Sequence, residues 1–384
     1  MAKKYKISVL PGDGIGREVV PEAVRTMKAA EDVVSGFSLD FSEFECGGEY
    51  FLKHGREWSV EGEEFTKEEA DATLLGAVGA STADGKSVLR SDGHLAGYSV
   101  VIGLRLDLDL YANVRPVRLY EGVPTPLAGK DHNDINMVMV RENTEGLYAP
   151  QANPSRAANA DRVVDSRVIT RKGSLRVSRH AFETAMLRAG CPEDATKRVT
   201  CVDKSNLLAG CQLFRSAFDQ VGKEYPSIQR DYAYVDAFTQ WLIRKPEYYD
   251  VVVAPNEFGD IITDLGAAIQ GGLGMAPAGS IGDTKAIFEP VHGSSPKHAG
   301  KGISNPIASI LSGAMLLQWI GDKHNDDRCR MASDVIDGAV SEVLRRGKVR
   351  TYDICSGAWS SVSPARTKDV TDEIIKSVRA EGGD

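Results

Sequence analysis

The sequence lacks the residue patterns that announce metal–thiolate, disulfide or membrane chemistry. Its six cysteines (Cys46, Cys191, Cys201, Cys211, Cys329 and Cys355) are scattered, and no two form a C-x-x-C pair. Such spacing suits reduced thiols in a cytoplasmic protein better than a disulfide framework or a zinc site. The seven histidines form no H-E-x-x-H or similar ligand pattern. No apolar run reaches the roughly 18 residues needed to span a bilayer. The start, MAKKYKISVL, has no long apolar core before a small-residue cleavage site, so no signal peptide is expected. Positive charge is in deficit as well: 46 Lys and Arg against 54 Asp and Glu leave a net charge of −8. That balance argues against nucleic-acid or membrane-surface partners, which call for clustered positive charge. Internal repeats and low-complexity tracts are also missing. Chemistry is therefore to be sought in carboxylates, arginines and lysine.

With 384 residues, 42% of them hydrophobic, the chain is long enough for two domains or one large domain with a second lobe. An apolar strand, Lys4 to Leu10, enters the loop PGDGIG, and a helix with Val20, Val24 and Met27 at helical spacing leaves it. The loop's Gly12, Gly14 and Gly16 read G-x-G-x-G, one residue short of the dinucleotide fingerprint. Further on, ATLLGAVG, INMVMVREN, RVTCVDK and YDVVVAPN read as strands, whereas SLRVSRHAFETAMLRAG and NPIASILSGAMLLQWIG read as helices. This alternation predicts an α/β architecture with a substantial parallel component. Residues 149–168 are polar and alanine-rich, either a loop or an arm that pairs with a partner subunit. The final stretch, TKDVTDEIIKSVRAEGGD, is patterned as an amphipathic helix.

Four constellations stand out. Arg105, Arg115 and Arg141 offer guanidinium forks for a di- or tricarboxylate, against the plainer reading of ordinary ion pairs. Arg141 ends an apolar strand, where α/β sheets present site residues. Asp260 and Asp264 in NEFGDIITDL lie one helical turn apart, so their carboxylates share a face. They repel each other unless a cation joins them. The helix is otherwise apolar (Ile261, Ile262, Leu265), and Asp236 is similarly placed after a β-rich run. Lys204, at a strand end, and Tyr148 have the chemistry of a base and an acid. The loop FEPVHGSSPKHAGKGISNP permits close backbone approach to a ligand, with Lys297, His298 and Asn305 adding polar contacts.

Taken together and in order, LPGDGIG, LDLYANVRPVR, VRENTEGLY, VDKSN, NEFGDIITDL and FEPVHGSSPKHAGKGISNP resemble the β-decarboxylating dehydrogenases. That family includes isopropylmalate, isocitrate, homoisocitrate, tartrate and D-malate dehydrogenases. The resemblance implies a two-lobed fold distinct from the Rossmann fold. Its large cofactor-binding lobe would comprise residues 1–110 and 270–384. A small dimerisation and substrate lobe would comprise 111–269, with an arm near 149–168. It assigns Arg105, Arg115 and Arg141 to the substrate carboxylates, Tyr148 to the acid and Lys204 to the base. Asp236, Asp260 and Asp264 become ligands of Mg²⁺ or Mn²⁺, with Asp260 also able to relay a proton. The family forms homodimers with shared sites, in which Lys204 and Asp236 would act in trans.

The same resemblance places the cofactor near His292, Gly293, Ser294, Lys297, His298, Asn305 and Tyr352, and makes the PGDGIG loop a tight turn. NAD-using members have an aspartate where Lys297 stands. A cation facing a 2′-phosphate favours NADP, with NAD as the alternative. The arginine that NADP-using members carry four residues after the equivalent of Tyr352 falls on Ser356 and is absent. In the substrate pocket, Ser99 matches isocitrate enzymes, whereas Val101 and Ile102 suit an isopropylmalate-like substrate. A tartrate, D-malate, isocitrate or homoisocitrate substrate is the alternative. A non-catalytic regulatory subunit is a competing reading, but such subunits lose the tyrosine, the lysine or a metal aspartate, and all are present here. A Rossmann dehydrogenase of simple 2-hydroxy acids would need the full G-x-G-x-x-G.

Overall fold

The first apolar run becomes β1 (Lys3–Leu10), with Ile7, Val9 and Leu10 fully buried. The structure, a computed structural model, describes residues 3–82, 85–149, 161 and 163–381. The 149–168 stretch therefore lies mostly outside the described residues. After β1 come α1 (Gly16–Val34), β2 (Phe37–Glu43), α2 (Gly48–His54), α3 (Val60–Glu64) and β3 (Ala72–Leu75). A π-helical turn, Ser99–Gly103, runs into α4 (Leu104–Asp107). The middle of the chain forms β4 (Ala112–Arg118), β5 (Asn136–Glu142), α5 (Arg171–Leu187), β6 (Arg198–Asp203), α6 (Ala209–Gly222) and β7 (Gln229–Tyr234). It continues through α7 (Val235–Arg244), β8 (Val251–Ala254) and α8 (Asn256–Ile269). The chain closes with β9 (Pro277–Ile281), β10 (Ala286–Pro290), α9 (Ile307–His324), α10 (Asp327–Arg346) and α11 (Thr367–Glu381).

The ten strands among the described residues join one sheet in the order β2-β1-β3-β10-β9-β4-β5-β8-β6-β7. Strands from the two ends of the chain occupy one side and strands from the middle the other. The pairing is parallel at both wings. It turns antiparallel at the centre, where β9 faces β10 and β4, and β4 faces β5. The centre differs from the expected alternation for a local reason. β9 returns directly into β10 through a short turn closed by Gly282 N–H donating to Lys285 O, and strands joined without a crossover helix run antiparallel.

Two large cores flank the sheet, beside smaller clusters. α1, α9, α10 and α11 share one with α7, α8 and strands of both wings, from Ile7 and Leu74 to Val117, Met139 and Val252. α5 and α6 cover the other, against Val138, Val140, Val199, Val251 and Val253. α9 is buried on nearly every side, from Ile307 to Gly321, which accounts for its apolar, small-residue sequence.

The PGDGIG loop is consumed by the fold. Asp13 N–H donates to Ala77 O, Ile15 N–H to Ser294 O and Gly16 N–H to Asp13 O. These amides are engaged by the protein and do not form a phosphate cradle. The buried Asp13 carboxylate in turn accepts from Gly48, Glu49 and Gly79 N–H. Gly14 sits at φ +56°, and a Cβ there would lie 2.1 Å from the Ser294 carbonyl oxygen. Gly14→Ala is accordingly expected to cost about 2 kcal/mol or more, read as a lower urea midpoint. An unchanged midpoint would show that the contact with Ser294 yields freely.

Candidate active site

The carboxyl end of β5 delivers Arg141, and β4 delivers Arg115 beside it. Both guanidinium groups are buried and aimed at the start of α8. Arg141 Nε and Nη2 donate to Asn256 Oδ1 at 3.0 and 2.7 Å, and Nη1 donates to Asp260. Arg115 Nη1 donates to Thr263 Oγ1 (2.7 Å) and Asp264 Oδ1 (3.1 Å), Nη2 reaches Asp260 Oδ1 at 3.5 Å, and Nε is fixed by Asn113. Asn256, Asp260, Thr263 and Asp264 recur at helical spacing, so α8 offers one continuous polar face to both arginines. Gly259 permits the approach, since a Cβ there would fall 2.6 Å from Arg141 Cγ.

Arg105, on α4, joins the cluster from the other wing of the sheet and pairs with Glu289 at 3.2 Å. Burial, followed by the neighbouring Arg105 charge, pulls the Arg141 guanidinium well below its ordinary pKa. Burial is also the leading cause of the lowering at Arg115. Three cations thus converge in poorly solvated space, held by Asp260, Asp264 and Glu289. Such a site has the chemistry to exchange those acids for the carboxylates of a ligand.

Tyr148 stands at the edge of this cluster, with Oη 3.5 Å from Asp260 Oδ2 and its ring beside the Arg141 guanidinium. Partial burial, then the Asp260 charge, raises its phenol above the ordinary value, so the group keeps its proton. Lys204 and Asp236 form a separate pair: Nζ lies 2.6 Å from Asp236 Oδ1. That bond is the main cause holding the Asp236 carboxyl below its usual range. Among the described residues, no set of three acidic, His or Cys side chains gathers as a metal site. Asp260 and Asp264 are brought together within one chain, and Asp236 is not brought to them. Asp260 and Asp264, all-oxygen donors one turn apart, suit a hard divalent cation.

The 288–305 loop lies across the amino end of α1. Glu18 accepts from both Gly300 and Gly302 N–H, and Ser294 spends its hydroxyl on Gly79 O at 2.6 Å. Gly293 has open space where a side chain would be. His292 is buried with Nε2 unpartnered among the described residues, a vacancy that a heterocyclic or hydroxyl ligand group could fill. His298 stacks on Tyr352 with centroids 5.7 Å apart, and Ser295 Oγ meets His298 Nδ1 at 2.8 Å. Asn305 Nδ2 donates to Asp353 Oδ2 at 3.0 Å, while Lys297 is exposed at the rim.

Reading the sequence missed several of these partners. Glu289, Asn113, Asn256 and Thr263 orient the arginines, and Asp353 joins Asn305. Only the proximity of Glu289 to HGSSP and of Asn256 to the two aspartates hinted at them. Within the apolar run of α8, Ile261 is 63% exposed whereas Ile262 is buried. Neighbouring positions on a helix differ by about 100° in direction.

Comparison with known proteins places this arrangement. Residues 6–374 match the family model described as isocitrate/isopropylmalate dehydrogenase. The chain is 37% identical to the D-malate dehydrogenase [decarboxylating] of Escherichia coli, covering 98% of this chain and 99% of that one. It is 38% identical to the 3-isopropylmalate/3-methylmalate dehydrogenase of Methanocaldococcus jannaschii, covering 98% and 100%. The crystal structure of isocitrate dehydrogenase from Methylococcus capsulatus superposes with a TM-score of 0.81 at 34% identity, covering 98% and 99%.

The geometry makes Asp260 the counter-charge of two buried arginines. Asp260→Asn is expected to destabilise the ligand-free protein by about 2 kcal/mol or more, seen as a fall of several degrees in Tm. A dicarboxylate such as malate should restore part of it by supplying the missing negative charge. An unchanged Tm would mean that the arginines are neutralised elsewhere.

Proposed function

The chain belongs to the isocitrate/isopropylmalate dehydrogenase family and is a β-decarboxylating dehydrogenase, and we propose that it oxidatively decarboxylates a 3-substituted malate of the 3-isopropylmalate type. The product is a 2-oxo acid, with CO₂ released and NAD(P) reduced. The observation that carries this reading is the convergence of Arg105, Arg115 and Arg141 on Asp260 beside a protonated Tyr148. The half-buried apolar residues Val101 and Ile102 favour an alkyl substituent at C3 over a further carboxylate. We take residues 1–110 with 270–384 as the cofactor lobe and 111–269 as the substrate lobe.

In this reading the three arginines grip the substrate's carboxylates, replacing Glu289 and the aspartates as their partners. Asp260 and Asp264, with Asp236 of the partner subunit, would hold the divalent ion. Mg²⁺ or Mn²⁺ bound there would supply the Lewis acidity that eases ionisation of the 2-hydroxyl and steadies negative charge after CO₂ departs. NADP, in preference to NAD, would supply the hydride acceptor, with Lys297 and His298 at its adenosine end, Lys297 toward the 2′-phosphate, and His292, Asn305 and Tyr352 among the other contacts. Lys204 of the partner subunit takes the hydroxyl proton on Nζ, through a water or Asp260, as C2 becomes a carbonyl carbon. Decarboxylation leaves an electron pair on C3, and Tyr148 Oη protonates that carbon. The order follows from charge: the β-keto acid can lose CO₂ only after C2 is oxidised.

The separation of Lys204 and Asp236 from Tyr148 and Asp260 within one chain supports a homodimer with shared sites. No helix among the described residues is long and apolar enough to cross a membrane, and a cytoplasmic location fits the free thiols.

Wild-type protein with Mg²⁺ is expected to reduce NADP with 3-isopropylmalate, followed at 340 nm, and to lose activity on chelation. Failure with every malate would overturn the proposal. Tyr148→Phe should lower overall turnover about 100-fold or more, with hydride transfer less affected than C3 protonation. Mixing inactive Tyr148→Phe and Lys204→Met subunits should restore about a quarter of wild-type activity, because half of randomly mixed dimers carry one intact shared site. No recovery after subunit exchange would place both residues in the same chain's site.

A further inference from the structure

Glu57 has no place in the chemistry above, yet its carboxylate is among the most fully engaged in the molecule. It is 5% exposed. Oε1 accepts from Gly97 N–H at 2.7 Å, and Oε2 accepts from Ser99 N–H at 2.8 Å. Oε2 also meets Arg90 Nη1 at 3.2 Å. The two amides belong to the amino end of one continuous helical stretch, the π turn Ser99–Gly103 followed by α4. Glu57 is thus a remote N-cap, satisfying amides that a helix start leaves without partners and complementing its positive end.

The residues on that stretch give the cap its consequence. Val100 and Leu104 are wholly buried in a small core with Leu10, Trp58, Leu75 and Ile287. Ser99, Val101 and Ile102 remain half-buried on the other sides, and Arg105 reaches the arginine cluster. The apolar face fixes the depth of the helix, but smooth hydrophobic contacts resist sliding and rotation poorly. The π turn adds a further choice, since a wide turn can relax to an ordinary one and rotate the helix beyond it. Directional hydrogen bonds from Gly97 and Ser99 to Glu57 remove that freedom. Gly97 has φ +102°, and a Cβ there would lie 2.1 Å from Val78 Cγ1, so the entry to the helix is held from a second side. Through Arg90 the same carboxylate also fastens the preceding segment, where Leu89 bridges to Leu95.

We propose that Glu57 is a positioning residue for substrate selection: it sets the placement of Ser99, Val101, Ile102 and Arg105, and with it the fit of the group at C3. The inference rests on the malate reading of the site. Replacing the carboxylate with an amide turns one acceptor into a donor facing another donor, and leaves Arg90 without its buried counter-charge.

The test compares wild type, Glu57→Gln and Arg90→Gln in steady-state assays with 3-isopropylmalate, 3-methylmalate and unsubstituted malate. Each assay contains Mg²⁺ and NADP or NAD. Glu57→Gln is expected to raise the KM for 3-isopropylmalate about tenfold and to shift its kcat/KM ratio against unsubstituted malate severalfold. The cofactor KM should stay within about twofold of wild type. Arg90→Gln should shift the ratio in the same direction by less. Unchanged ratios in both variants, or equal losses on every malate together with a raised cofactor KM, would overturn the proposal by reducing Glu57 to a general structural role. Should Glu57→Gln fail to fold, Arg90→Gln decides alone, and an unchanged ratio there counts against the proposal. A wild type inactive on all malates overturns the functional reading and this inference together, whereas an active wild type with indifferent variants overturns only the latter.

Discussion

The constraint on which the rest of the site depends is the neutralisation of clustered guanidinium charge. Arg115 and Arg141 are almost fully buried, and Arg105 is near enough to disfavour the charge on both. Like charges so placed are tolerated only if fixed acids and dipoles surround them. The start of α8 meets that demand. Its residues at 256, 260, 263 and 264 all bond to arginine, and Gly259 lets the helix pack directly on Arg141. The helix after β8 is therefore held to one rotation and one distance from β5. Function and fold share this contact, since the acids that balance the arginines without ligand are those proposed to hold the cation when substrate arrives.

A second device recurs around the site: buried or half-buried carboxylates capture backbone amides of irregular segments, most of them far away in sequence. Asp13 takes three, Glu18 two and Glu57 two. Glu142 takes those of Thr144 and Glu145, and Glu145 takes that of Thr170. A carboxylate offers roughly four acceptor positions and binds amides more strongly than a neutral acceptor does. Each one fastens an irregular segment that carries or borders candidate site residues. The loops of the site are irregular in sequence yet tied at defined points.

How much of this was legible in the sequence depends on the range of each interaction. Strands and helices with clear local patterns, such as KYKISVL, INMVMV and the α8 run, lie where periodicity puts them, because burial of alternate or every third and fourth residue is a local property. The pairing of Asp260 with Asp264 was visible for the same reason. The antiparallel centre of the sheet was not, because it depends on which strands find each other across the chain. Glu289, Asn113 and Glu57 escaped notice because a lone polar residue acquires meaning only from a partner far away in sequence. Ile261 shows the limit of composition: an isoleucine in an apolar helix reads as core, and only the rotation imposed by Arg141 and Arg115 turns it outward.

That outward face bears on the two halves of the site. Ile261 on α8 and Trp241 and Ile243 on α7 are all substantially exposed. Asp236, near the start of α7, is exposed and pairs with a half-buried Lys204. Lys204 spends its Nζ on Asp236. Asp260 and Asp264 are likewise committed to arginines until a ligand's carboxylates relieve them. The proposed assembly resolves both commitments at once: covering the apolar faces of α7 and α8 would bring one subunit's Lys204 and Asp236 toward the other's Asp260, Asp264 and Tyr148. Substrate carboxylates would then take over the arginines, a cation would take over the aspartates, and Lys204 would be freed of Asp236. In the proposed assembly, the ion pairs of the single chain would be the resting partners of these groups, and the second subunit and the ligands would bring their working partners.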